Sequence, residues 1–253
     1  MLTDPLFYAV AVPAVILLGL AKGGFSGMGL AAVPLMTLAV GPVQAASITL
    51  PILIVQDVVS VWAFRRTWHR RALLVTLPGA AAGIALGWLL AARVSTAAVE
   101  LAVGLIAAGF ALQRLWSERR QPAAARTPPT WFGTLCGAAS GFTSQIAHAG
   151  GPPLHIYLLP QRLPRDVFVG TSAIFFAVVN WLKVPAYGAL GQFTTENLTT
   201  SAVLLPLAIA STWAGVLLVR RVSGERFYKL IYLLLVLVGA KLVWDGASTL
   251  LAV

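Results

Sequence analysis

Apolar residues run through this chain in long blocks, and the polar ones gather where the blocks stop. Blocks of spanning length cover residues 43–64, 72–92 and 97–116, and again 167–187, 198–219 and 228–250. Each meets the roughly 20 residues a helix needs to cross a bilayer. No stretch alternates polar and apolar positions as a membrane β-strand does, so the pattern predicts α-helices whose backbone groups pair internally. Two further apolar regions, 6–40 and 131–160, are interrupted by glycine-rich polar stretches, GLAKGGFSGMGLAAVP at 19–34 and GAASGFTSQIAHAGGP at 137–152. The arms on either side are short of a full span, which predicts a re-entrant, broken helical hairpin in each place.

Composition narrows the class. About 58% of the residues are hydrophobic and 10% charged, which excludes a soluble domain and specifies an all-α polytopic membrane protein. The formal charge of +10 would suggest nucleic acid in a soluble protein; here the cations sit between apolar blocks and set orientation instead, so no nucleic-acid partner is expected. Arg65, Arg66, Arg70 and Arg71 form the densest cluster, and with Arg119, Arg120, Arg162, Arg165, Arg220, Arg221 and Lys229 they mark cytoplasmic loops. Termini on the outer side follow, with no cleavable signal, because the first apolar block lacks a basic lead. The single Cys136 excludes an internal disulfide and is expected to be a buried packing residue.

The two interrupted stretches align without a gap, Gly19 with Gly137, Gly23 with Gly141, Ser26 with Ser144 and Pro34 with Pro152. Later positions align as well: Pro78 with Pro206, Gly87 with Gly215, Ser95 with Ser223 and Trp116 with Trp244. The basic loops put Arg93 outside and Arg221 inside, so equivalent segments cross in opposite senses. The sequence therefore predicts two inverted-topology repeats, 1–116 and 131–253, each a hairpin plus three transmembrane helices, joined by a basic, Pro-rich linker at 117–130. Such a design places a substrate between broken helices.

Helix ends inside a membrane present unpaired N–H groups and a positive dipole end, which suit an anion. Gly23, Gly24, Gly27 and Gly29 allow close backbone approach, and Lys22 adds a cation whose burial costs roughly 2.5–3.5 kcal/mol unless it has a use. In the second stretch the counterpart of Lys22 is Ser140, and polarity comes from Thr143, Ser144, Gln145 and His148. Tips meeting head-on would pool Lys22, Ser26, Ser144, Gln145 and His148 for a small oxyanion. Asp57, deep in an apolar block, is a candidate proton carrier or partner of Lys22, and His148 is a second coupling candidate. Asn180 and Lys183 are secondary candidates, His69 and His155 read as structural, and Glu100, Lys241 and Asp245 as interfacial. The glycines spaced by four, Gly19-Gly23-Gly27 and Gly133-Gly137-Gly141, serve close helix packing. His148 and His155 have no carboxylate or thiolate near them in sequence, so neither a metal nor another cofactor is expected.

The KGGFSGMG motif, its echo GFTSQIAHAGGPP and the following PRDVFVGTSAIFFAVVNWLK resemble the sulfite exporter TauE/SafE family, also called toluene sulfonate uptake permeases. The resemblance covers essentially the whole chain. It implies a transporter of sulfite, sulfonates or related small sulfur-containing anions, with Lys22, Gly23, Gly24, Gly27, Gly29, Gly141, Gln145, Gly150, Gly151, Pro152 and Asn180 as the motif residues. The expected mechanism is alternating access around a midplane anion site, in the export direction; an anion channel and proton-coupled uptake of a sulfonate are the alternatives. A membrane enzyme is disfavoured, since only Ser144 near His148 resembles a nucleophile with a base. No sequence signal specifies an oligomer.

Overall fold

The computed structural model describes residues 5–25, 28–37, 39–40, 42–90, 93, 95–120, 125–189, 191 and 193–251. Ser26, Gly27 and linker residues 121–124 thus lie outside the described residues. Among those described every element is helical.

The first interrupted region folds as α1 (Pro5–Gly23), a 3-10 turn at Met28–Ala31 and α2 (Ala32–Thr37). Then come α3 (Pro42–Phe64), α4 (Arg70–Leu90) and α5 (Thr96–Arg120). The second interrupted region gives α6 (Thr130–Ala147), α7 (Gly151–Leu158) and a 3-10 turn at Leu159–Gln161, followed by α8 (Arg165–Ala189), α9 (Thr195–Arg220) and α10 (Gly224–Leu251). Six helical stretches among the described residues, within α1, α3, α4, α8, α9 and α10, are long and apolar enough to cross a membrane. The chain is a multi-pass membrane protein. Prolines lie inside α1, α3, α4, α8 and α9, as helices packed among others in a membrane tolerate.

One expectation changes in detail. The first arm is not cut short at Lys22: α1 continues to Gly23 and, at 19 residues, has spanning length. A lysine is a good helix former, and its charge does not end an apolar helix when a carboxylate meets it, as Asp57 does here.

The cross-helix contacts give relative directions. Gly19 lies against Ser211 and Gly23 against Gly215, so α1 and α9 run in parallel. Gln56 Nε2 donates to Val15 O at 3.3 Å and Ser60 Oγ to Lys22 O at 2.7 Å, so α3 runs parallel to α1 as well. The chain between α1 and α3 must therefore double back. In the same way Gly137 abuts Thr76 and Gly141 abuts Ala80, which makes α6 parallel to α4. Lys183 reaches Ser144 and Tyr187 reaches His148, which makes α8 parallel to α6. Here the doubling back is closed by a hydrogen bond from Arg126 N to Pro160 O at 2.9 Å.

Two pairs are antiparallel. Asp57 meets Asn180 while Phe64 meets Gly170, across α3 and α8. Gly104 meets Gly239 while Ala97 meets Gly246, across α5 and α10. The backbones approach closely because the facing residues are small: a Cβ on Gly141 would stand 2.1 Å from Ala80 O, and one on Gly23 2.5 Å from the Gly215 backbone. Without a hydrophobic drive between helices in lipid, this dispersion contact is what holds α1 on α9 and α6 on α4. Large apolar side chains such as Trp62, Leu89, Trp181 and Trp244 remain exposed on the outside of the bundle, where lipid would cover them.

Candidate functional site

The buried Asp57 and Lys183 and the part-buried Lys22 converge from α3, α8 and α1. Lys22 Nζ stands 2.5 Å from Asp57 Oδ1, and Asn180 Nδ2 donates to Asp57 Oδ2 at 2.6 Å, so both carboxylate oxygens are engaged. Asp57 is 2% exposed and Asn180 likewise, a depth at which an unpaired carboxylate would be prohibitive. Lys22 also lies 5.2 Å from the centre of the Phe176 ring.

Lys183 enters from the other side, fully buried. Its Nζ lies 3.3 Å from Ser144 Oγ, 3.4 Å from Ser144 O and 3.4 Å from His148 Nδ1. All three partners are neutral acceptors. His148 Nε2 is in turn 3.0 Å from Tyr187 Oη. An ammonium offers donors alone, so opposite charged Lys183 the imidazole accepts at Nδ1 and carries its proton on Nε2, towards Tyr187.

Local backbone chemistry sets these positions. Ser144 O belongs to the last turn of α6 and Lys22 O to the last turn of α1, where carbonyls lack an intrahelical partner. Lys183 on α8 fills the first role and Ser60 on α3 the second. His148 ends α6 in the left-handed region, φ 50°, with Ala149 N bonded back to Thr143 O. Glycine usually takes that cap; a histidine there accepts strain and gains a ring held between Lys183 and Tyr187. After the turn, α7 opens with Gly151, Pro152 and Pro153. The two prolines have no N–H, so the first turn of this helix offers an anion far fewer amides than the glycine motif suggests.

Lys22, Lys183, Ser144, His148 and Asn180 line a half-open cavity of about 110 Å³, space for one small oxyanion or several waters. Lys22, Gly29, Ser144, His148, Gly151 and Asn180 of the expected set line it, joined by Lys183 and His155. Gly23, Gly24, Gln145 and Gly150 do not line it. Gly23 and Gly24 pack on Gly215 and Val219 of α9, Gln145 packs on Gly87 of α4, and Gly150 O accepts from Ser140 Oγ at 2.6 Å. Gly24 has φ +136°, a turn conformation that favours glycine. The two turns also pass one another rather than meeting head-on. Gly24 lies beside Val219, one residue from the end of α9, whereas Gln145 lies beside Gly87, near the far end of α4. Long lysine side chains bridge the intervening depth. The second cation therefore comes from α8, outside the glycine motifs. Among the described residues no three His, Cys, Asp or Glu side chains come together as a metal site would need.

A cavity between membrane helices lined by two lysines, with Asp57 behind one of them, is a carrier-like feature, and the family comparison decides its setting. The family model for the sulfite exporter TauE/SafE matches residues 11–242. The chain belongs to that family. The match covers nearly all of the chain and includes every residue of the cavity. TauE/SafE is a family of membrane transporters, and the six apolar helices fit that role. Comparison with curated proteins and with solved structures gives no match.

Proposed function

We propose that this TauE/SafE protein is a secondary transporter that exports sulfite, a sulfonate or a related small sulfur-containing anion across the bacterial cytoplasmic membrane. One observation carries the reading. Lys22 is paired with Asp57, while Lys183 hydrogen-bonds only to neutral groups, Ser144 and His148, and feels the same single carboxylate at a distance. With both lysines protonated, one positive charge is left without a counterion, and an anion supplies it. Lys183, Ser144 and Asn180 would hold the anion's oxygens, His148 would orient Lys183, and Lys22 would stand by with Asp57 as its resident partner.

The architecture we infer is two inverted repeats, 1–116 and 131–253, each a hairpin and three spans. The helix directions support it: α3 runs against α8 and α5 against α10, the expected equivalents. The packing of α1 on α9 has its counterpart in that of α6 on α4. The ends carrying Arg65, Arg165 and Arg220 lie together, since Arg165 bonds Arg220 O and Arg220 bonds Ala63 O, which favours a cytoplasmic face there. Alternating access would then rock one repeat against the other about the lysines. With the cell interior negative, export of a monoanion is driven by about 2.3 kcal/mol per 100 mV without a second fuel.

The test is flux in proteoliposomes. Labelled sulfite should leave or enter according to an imposed potential, saturably, and Lys183→Ala should abolish it. Saturable flux that Lys183→Ala leaves intact would reject the site. A second reading, proton-coupled uptake, draws on the Lys183–His148–Tyr187 chain of hydrogen bonds. It requires flux driven by a pH gradient at zero potential.

A further inference from the structure

Among the described residues most buried polar side chains have partners, and His155 is a conspicuous exception. It is 1% exposed, and neither Nδ1 nor Nε2 has a hydrogen bond. The other orphaned side-chain atoms among the described residues are Gln56 Oε1, Gln145 Oε1 and Ser172 Oγ, one atom each, and none of those residues lines the cavity. His155 does line it. It stands one turn after Gly151 on α7, with its ring against Phe168 at 5.4 Å between centroids. A buried polar group without a partner is costly, and a fold that only needed a flat apolar filler beside Phe168 would place phenylalanine or leucine there. Both unmet nitrogens belong to a residue on the wall of the anion cavity.

The chemistry of a neutral imidazole then specifies what is missing. One nitrogen is a donor and the other an acceptor, so the complement must offer an oxygen that accepts and a hydrogen that donates. A sulfite dianion or a plain alkanesulfonate has only acceptor oxygens and can satisfy one nitrogen. An anion that also carries an O–H group can satisfy both. Resting on the transport reading above, we propose that His155 contacts the transported anion directly and makes the site selective for oxyanions bearing a hydroxyl group. Charged oxygens go to Lys183 and Ser144 and one accepts from the N–H of His155, while the hydroxyl donates to the other His155 nitrogen.

The pair ethanesulfonate and 2-hydroxyethanesulfonate tests this on the full-length protein in detergent, since the two carry the same charge and nearly the same volume. Wild type should bind the hydroxylated anion at least about tenfold more tightly, as a site built to hydrogen-bond a substrate hydroxyl rejects the analogue lacking it. His155→Phe should lose the preference and bind the two anions alike. It should also melt no lower than wild type, because it removes two unpaired polar atoms; a histidine needed only for packing would lower the melting temperature and leave the preference intact. His155→Gln, which keeps a donor and an acceptor, should retain part of the preference. Equal binding of the two anions by wild type, or a preference that survives in His155→Phe, overturns the assignment to His155 alone. Failure of wild type to bind sulfite or either sulfonate overturns the transport reading as well.

Discussion

Lys22 and Lys183 face one cavity from different helices, yet only Lys22 has a carboxylate within reach, Asp57 at 2.5 Å. The asymmetry separates two jobs that a glance at the composition would merge. Lys22 belongs to an ion pair; in the transport reading, Lys183 holds the charge that a ligand would answer.

Lys183→Met should therefore weaken sulfite or sulfonate binding by at least about tenfold, roughly 1.4 kcal/mol. The methionine is close in volume and removes a buried charge, a replacement that often leaves stability unchanged or raised. Lys183→Arg should retain part of the binding. Titration calorimetry with a parallel thermal melt separates loss of the site from loss of the fold.

Asp57→Asn should behave differently. It leaves the part-buried Lys22 beside Phe176 without its counterion, and breaking a buried pair from one side costs up to about 3–5 kcal/mol. The variant should melt far below wild type, whereas the double change Lys22→Met with Asp57→Leu should recover most of the loss. A double-mutant cycle on melting free energies measures the coupling. Additive single effects would mean that the pair contributes nothing beyond its members.

Much of this was legible in the chain because lipid imposes a simple rule: a spanning helix needs about 20 apolar residues, and its ends are marked by charge. The observed α3, α4, α8 and α9 begin and end within three residues of the apolar blocks. Helix α5 runs on to Arg120 because the polar segment after Trp116 is itself helix-forming. The site was legible in part. Lys22, Ser144, His148 and Asn180 stand out as polar residues in apolar surroundings, and Asp57 pairs with Lys22 as one of its two expected roles. Lys183 is harder to see, since a lysine after Asn180-Trp181-Leu182 near a helix end looks like an interfacial anchor. Only the parallel packing of α8 on α6 turns it towards Ser144. His155 carries no sequence signal beyond being a histidine in an apolar helix; its importance comes from the partners it lacks.

The glycines divide by what faces them. Gly141→Val should destabilise strongly, since its Cβ would meet a backbone oxygen of α4 that cannot move aside, and overpacking of this kind costs about 1–3 kcal/mol or more. Gly109 is also helical, in α5, yet has nothing within 4 Å of a built Cβ. Gly109→Ala should be neutral or stabilising by up to about 1 kcal/mol through helix propensity. Thermal melts of the two variants side by side provide the check, and equal effects would contradict the packing account of the α4–α6 contact.

The inverted arrangement makes a prediction that needs no knowledge of the substrate. Ser95 and Ser223 are equivalent in the internal alignment, both exposed, and each precedes the start of a long helix, α5 and α10 respectively. Ser223 follows α9 at the end where Arg220 bonds Ala63 O; Ser95 follows α4 at the end away from Arg70. If the halves are related by inversion, the two serines lie on opposite sides of the membrane; parallel repeats would put them on the same side. Cys136 is the single native cysteine and is buried, so Cys136→Ser gives a clean background for Ser95→Cys and Ser223→Cys. In intact cells a membrane-impermeant maleimide should label Ser95→Cys alone, and permeabilised cells should label both. Labelling of both positions in intact cells, or of neither, would reject inversion whatever the protein carries, because the side of a loop is set by helix count and the basic residues and does not depend on the occupant of the cavity.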